Sequence, residues 1–95
     1  MYDADRYEWD PDKDLANRRK HGVSFQEAET ACRDRQATVV RDLRHADVEE
    51  RYLVFGISRR GRLLFVVTAP TSRGTIRIIS ARRATKRERH AYQDR

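Results

Sequence analysis

Apolar and polar residues along this chain follow two periods, and the change between them marks out the elements. Tyr7-Glu8-Trp9 alternates aromatic and polar and predicts a short strand. Asp10-Pro11 opens a helix, with Asp as N-cap and Pro at the first helical position, and the helix runs to about Lys20. Gly22 fits the position after the helix end, where a positive φ is needed. Ser24-Phe25-Gln26-Glu27 reads as a capping box, with Ser24 and Glu27 satisfying each other's backbone donors. Val23 and Ala28 stand where a hydrophobic staple forms. Phe25, Ala28, Ala31 and Cys32 make one apolar face at helical spacing, and Asp34 to Gln36 ends this second helix.

The period then drops to two. Ala37 to Asp42 reads as a strand through Thr38-Val39-Val40, and Leu43 to Glu50 as a charged connection. Arg51 to Ser58 and Leu63 to Ala69 are strands, joined by Arg59-Arg60-Gly61 as a hairpin turn with Gly61 left-handed. Pro70 to Gly74 is a second turn. Thr75 to Ala81 is a strand whose Ile76, Ile78 and Ile79 occupy both faces, which predicts a central strand covered on both sides. Thr85-Lys86-Arg87-Glu88 is another capping box, opening a helix that ends near Gln93. Consecutive hairpins imply an antiparallel sheet with two N-terminal helices and one C-terminal helix packed on it. The expectation is one compact α+β domain over residues 1–95, with 1–6 a polar tail. Trp9 and Phe25 read as core.

Charge changes the picture. Of the 95 residues, 38% are charged and the net charge is +6. Residues 1–50 hold 9 Lys/Arg against 13 Asp/Glu, whereas residues 51–95 hold 12 against 2. That asymmetry points to a basic surface for a polyanion, nucleic acid first, or else to a solvated charged face. Cys32 is the one cysteine, so no intrachain disulfide forms, which fits a reducing compartment. The stretch Met1 to Trp9 is acidic and aromatic, unlike a signal peptide, and no apolar run approaches bilayer length. A soluble, cytoplasmic protein is expected, with no membrane partner.

Three sets of residues, in order, resemble the BrnT family. Tyr7-Glu8-Trp9-Asp10, Lys13, Asn17, Lys20-His21-Gly22-Val23-Ser24-Phe25 and Glu27-Ala28 look like its opening signature. Glu50-Arg51, Gly56-Ile57-Ser58, Gly61-Arg62-Leu63-Leu64 and Val66-Val67 look like its central hairpin. Ile76-Arg77-Ile78-Ile79-Ser80-Ala81-Arg82, Ala84 and Glu88-Arg89 look like its closing strand and helix. Tyr7 departs from the more usual Phe, and the Pro70 to Gly74 turn is less familiar. The resemblance implies a RelE-like fold and a ribonuclease toxin that arrests translation. It also implies a BrnA-like ribbon-helix-helix antitoxin that binds operator DNA, and an assembly of two chains of each.

Metal-free RNA cleavage needs a base for the 2′-OH, cations on the crowded phosphorane and an acid for the leaving 5′-oxygen. The motif positions supply these residue types, and no His/Cys/carboxylate spacing of a metal site is present, so no cofactor is expected. His21, the one His inside the signature, sits at a helix end and reads either as an acid–base group or as a C-cap. Lys20 beside it reads as a phosphate clamp or as a solvated Lys. Arg62, Arg77 and Arg82 suit phosphate oxygens as forks. Arg77 interrupts an apolar strand, and its alternative is an ion pair with an acid such as Glu50. Strict alternation puts Arg77 and Arg82 on opposite faces unless the strand bulges near Ser80-Ala81. Glu50 reads as a base or, more simply, as an orienter of an arginine. The resemblance implies a catalytic aromatic on the last helix, where Tyr92 stands; core packing is its alternative. Arg83, Lys86, Arg87 and Arg89 supply general attraction for RNA.

Two rival readings remain. A basic α+β module could grip RNA or a partner without cutting. A DNA-binding regulator fits less well, because no helix-turn-helix pair lies near the basic strands. All the basic-surface readings share one expectation: affinity for RNA falls steeply with added salt, on a log–log slope of about −0.7 per phosphate engaged on single strands. Fluorescence anisotropy at graded salt checks this, and a flat profile removes the basic-surface argument.

Overall fold

The two periods become two layers. In the computed structural model, which describes residues 6–45 and 47–94, the chain runs β1 (Tyr7–Glu8), α1 (Pro11–His21), α2 (Phe25–Cys32), β2 (Thr38–Arg41), a 3-10 turn (Leu43–His45), β3 (Tyr52–Ile57), β4 (Leu63–Pro70), β5 (Ile76–Arg83) and α3 (Lys86–Gln93). The sheet order is β1-β5-β4-β3-β2. The predicted polar tail lies, apart from Arg6, outside the described residues.

The expected antiparallel sheet is in fact mixed, because β1 pairs parallel with β5. No hairpin joins these two strands: β1 leaves through both helices and three strands intervene, so turn geometry does not fix their relative direction. The strand predicted to be central, β5, is second from the edge, and β4 takes the centre. Glu8 accepts hydrogen bonds from Arg73 and from Thr75 Oγ1, which ties the β4–β5 turn to β1.

The helix signals act largely as written. Asp10 accepts from the Asp12 N–H, and Gly22 closes α1 at φ 70° with its N–H on the Arg18 carbonyl. Ser24 accepts from the Glu27 N–H at 3.0 Å, but the return half of that box is missing. The Glu27 carboxylate turns instead to Ser58 and Arg62 at the two ends of the β3–β4 turn, where a buried charge finds charged and hydroxyl partners together. At Thr85 and Glu88 both halves of the box form.

Helices α1 and α2 cover one face. The core there is Val23, Phe25, Ala28 and Ala31 against Val54, Leu64, Val66, Ile78 and Ala81, all essentially inaccessible. Trp9 meets Phe25 edge-on with centroids 6.3 Å apart.

The β4–β5 ladder is irregular at one point. Thr68 pairs with Ile78 and Val67 with Ser80, so Ile79 is skipped. This bulge shifts the alternation by one: Ala81 follows Ile78 into the core, and Arg82 returns to the face of Arg77. Beyond the two residues covered by β1, the outer edge of β5 is met by a side chain. Asn17 accepts the Ala81 N–H at 3.1 Å and donates to the Ala81 carbonyl at 2.8 Å and the Val23 carbonyl at 2.9 Å. It thereby stands in for a neighbouring strand.

Helix α2 lies close on β3, because Gly56 faces its backbone. A Cβ at Gly56 runs into the Ala31 carbonyl oxygen. Gly56→Ala is therefore expected to destabilise the domain by about 3 kcal/mol, at the upper end of ordinary overpacking. Urea unfolding checks this, and an unchanged midpoint contradicts the close approach.

Candidate functional site

The sheet face away from α1 and α2 is only partly covered. Leu53, Phe55, Phe65 and Val67 are half-exposed there, and α3, which leans on it, buries none of its own residues. The bulge puts both Arg77 and Arg82 on this face, some four strand steps or about 13 Å apart along β5.

Arg82 is held from two directions. Its guanidinium carbon lies 4.3 Å from the centroid of Phe65, which in turn packs on Phe55 at 4.9 Å. Its two terminal nitrogens donate to Glu88 at 2.8 and 3.0 Å, a two-pronged fork. The same carboxylate accepts the Thr85 N–H at 2.8 Å, so one group caps α3 and fixes Arg82. The Arg82 guanidinium is the main reason that the Glu88 carboxyl is held down at about 2. At the other end of the face, Arg77 donates to Glu49 at 2.8 Å, and Arg51 donates to the same carboxylate at 3.0 Å. Arg51 and then Arg77 hold Glu49 below its ordinary range. The partner of Arg77 is thus Glu49 and not Glu50. Glu50 is exposed and accepts the Tyr52 hydroxyl at 2.8 Å.

Arg62 belongs to a third cluster, where α1 and α2 meet the β3–β4 hairpin. It donates through Nε to Glu27 at 2.9 Å, through a terminal nitrogen to the other Glu27 oxygen, and to the Gly22 carbonyl at 3.1 Å. Ser58 Oγ donates to Glu27 at 2.7 Å. The Glu27 side chain is only 5% accessible, and Arg62 above all keeps its carboxyl below the ordinary range. Arg62 therefore locks the Gly22 corner onto the sheet. His21, half-buried, and Lys20, exposed, are the last two residues of α1 beside that corner.

The structure gathers the sequence-predicted residues into two regions. At the end of the sheet where β4 begins and β5 finishes, Arg82 and Tyr92 stand on the open face, whereas Lys20, His21 and Arg62 stand on the side of α1 and α2. Arg77 and Glu50 lie at the opposite end. Tyr92 offers its hydroxyl to the Gln36 carbonyl at 3.2 Å and to Asp34 at 3.4 Å, which pins the far end of α3. Arg83, Lys86, Arg87 and Arg89 are all exposed around α3. Cys32 is buried, and desolvation pushes its thiol up to about 12, so it stays protonated and unreactive. Among the described residues no group of three or more His, Cys, Asp or Glu gathers as metal ligands would. Nor, among them, is any helix long and apolar enough to cross a membrane.

Residue spacing left several partners unseen. Glu27 and Glu88 read as cap residues, yet their carboxylates hold the two most firmly fixed arginines. Glu49 is one position from the acid considered. Asn17 stood inside a recognised motif, but only the bulge explains what its amide holds.

A helix pair and a five-stranded mixed sheet with a light third helix define the class first. The fold is similar to the 1.1 Å crystal structure of the Brucella abortus ribonuclease toxin BrnT, with a TM-score of 0.67 at 23% identity. That similarity covers 85% of this chain and 97% of the other, and it concerns the fold. Residues 9–88 match the family model described as the ribonuclease toxin, BrnT, of type II toxin–antitoxin systems, and the chain belongs to that family. Membership implies ribonuclease activity and a cognate antitoxin. A search of curated proteins found no match.

The three clustered carboxylates set an acid limit on the fold. Glu27, Glu49 and Glu88 all have folded values below 4.5. Their stabilisation is complete above that unfolded value and is lost as pH falls through it towards the Glu88 value of about 2. Thermal melts should show Tm dropping between about pH 4.5 and pH 2. Glu88→Gln keeps the cap geometry and should lessen that drop, by about 1–2 kcal/mol after screening. An identical acid profile in the variant removes the Arg82–Glu88 pair from the account.

Proposed function

We propose that this chain is a metal-independent endoribonuclease toxin that cuts RNA across the open sheet face and so inhibits translation. One observation carries the reading: the bulge at Ile79 sets two arginine forks on a single exposed face, one of them stacked on an aromatic ring. A single strand laid along β5 meets Arg82 with one phosphate and Arg77 with another, while the basic surface of α3 flanks its path. Guanidinium forks match phosphate oxygens and stabilise charge that builds on a phosphorane. The reacting phosphate belongs at the Arg82 end, which Tyr92 shares on the open face, and His21, Lys20 and Arg62 would approach it from the α1 side of the same end. His21 supplies the imidazole for proton transfer. Arg77, with Glu50 at its end of the sheet, acts as the distal contact that sets register. The partner is a BrnA-like ribbon-helix-helix antitoxin, two chains of each forming the neutral complex, which touches operator DNA through the antitoxin. The site of action is the cytoplasm.

A second reading has its own observation. Arg62, Arg77 and Arg82 all carry carboxylate partners, and the Tyr92 hydroxyl is engaged, which suits a binding module of the same fold that does not cut.

One assay separates them. Purified chain, end-labelled RNA and excess chelator should yield discrete products ending in 2′,3′-cyclic phosphate. Arg82→Ala and His21→Ala should each slow cutting by about 10²–10³-fold with circular dichroism unchanged. Arg77→Ala should weaken binding by about 10-fold. Intact RNA, both free and on translating ribosomes, sinks the nuclease reading and leaves the binding module.

A further inference from the structure

Between α3 and the open end of the sheet lies a cleft of about 480 Å³. Ile57 and Leu63 of the sheet give it an apolar floor, and Gln36, Arg89, Tyr92 and Gln93 supply its polar edges. We propose that this cleft holds one unpaired nucleobase of the RNA substrate, next to the phosphate at Arg82, and that the Gln36 and Gln93 amides read its identity. The inference rests on the RNA-cleaving reading above and adds a specificity subsite to it.

Four features favour a base over other occupants. The size and the mixture of apolar floor and few polar groups are those of a small-ligand site. The cleft adjoins the Arg82 fork through the chain itself. Glu88, which holds Arg82, is followed on the same helix by Arg89 and Tyr92, and the Ala84 N–H donates to the Leu63 carbonyl at 2.9 Å. A base attached to a phosphate at Arg82 is therefore within reach of the floor. The Tyr92 ring is already held by its hydroxyl at Gln36 and Asp34, so a flat ligand meets a wall that needs no further ordering. Finally, the surroundings are basic: exposed Arg59 and Arg60 stand on the adjoining hairpin turn, and Lys86, Arg87 and Arg89 on α3. An anionic strand suits that setting, and an apolar or basic peptide does not. Amide groups offer a donor and an acceptor each, which is what discrimination among Watson–Crick edges requires.

The test uses RNA pentamers with 2′-fluoro riboses, in which the 2′-oxygen is absent and cutting is blocked. Each position in turn carries each of the four bases or no base. One position is expected to lose about 10- to 100-fold in affinity when abasic. The same position should show about 10-fold preference among bases. In the double variant Gln36→Ala/Gln93→Ala the preference should shrink below about 2-fold, with affinity for the abasic pentamer and the salt slope unchanged. Equal affinity for abasic and parent pentamers at every position overturns the proposal, as does a preference that survives in the double variant. Unmodified pentamers run in parallel keep the two readings apart. Base-selective binding with RNA left intact, both as free pentamers and on translating ribosomes, supports the subsite and removes the nuclease, whereas cutting with no base preference supports the nuclease and removes the subsite.

Discussion

The skipped residue in β5 is the constraint on which the rest of this structure turns. A regular strand would send Ser80 to the core and Arg82 in beside it. Skipping Ile79 exchanges them: Ala81 packs under the helices, and Arg82 emerges on the face of Arg77. The exchange needs support, since a bulge breaks the ladder and leaves backbone groups to satisfy. Asn17 provides it by taking both the N–H and the C=O of Ala81, and its third contact, on Val23, ties the same amide to the α1–α2 corner. Helix α1 is thereby fastened to the edge of β5 that β1 leaves uncovered. The basic face and the apolar core are two outcomes of one shift in register.

The second organising contact is the Glu27–Ser58–Arg62 cluster. A carboxylate this deeply buried is costly unless each lone pair is used, and here a hydroxyl and a forked guanidinium use them. The cluster joins the start of α2 to both ends of the β3–β4 turn, and Arg62 extends it to the Gly22 carbonyl. Removing Glu27 alone would leave a guanidinium short of partners, so the pair specifies the corner more than it adds stability. The corner in turn sets where α1 ends, and with it His21 and Lys20.

The elements themselves were legible in the sequence, because their signals are local. Asp10-Pro11, Gly22, Ser24, Gly61 and Thr85 each act within a turn of themselves, and the structure uses all five. What was not legible is pairwise and distant. The parallel entry of β1 depends on which edge stays free after the hairpins form. The identity of the Arg77 partner as Glu49 depends on how the connection after β2 folds back. Strict alternation puts Arg77 and Arg82 on opposite faces unless the strand bulges near Ser80-Ala81, and the ladder skips the adjacent Ile79. Periodicity names the faces of a strand but carries no sign of where a ladder skips. Similarly, a capping-box pattern reports that Glu can reach the helix start, not that a better partner waits across the sheet.

The arginines of the open face are spoken for in the free protein, and this shapes what a polyanion has to do. For a phosphate to take the Arg82 fork it must displace Glu88, exchanging one charge-assisted pair for another of similar strength. The exchange itself contributes little net affinity; what remains is the release of counterions and the stacking that the neighbouring rings allow. Glu88 also caps α3 through Thr85, so drawing its carboxylate away loosens the first turn of a helix that has no buried residue to hold it. Occupancy of the fork and the seating of α3 are therefore coupled through one carboxylate. The same carboxylate keeps Arg82 stacked on Phe65, so the guanidinium is held in one orientation on the open face.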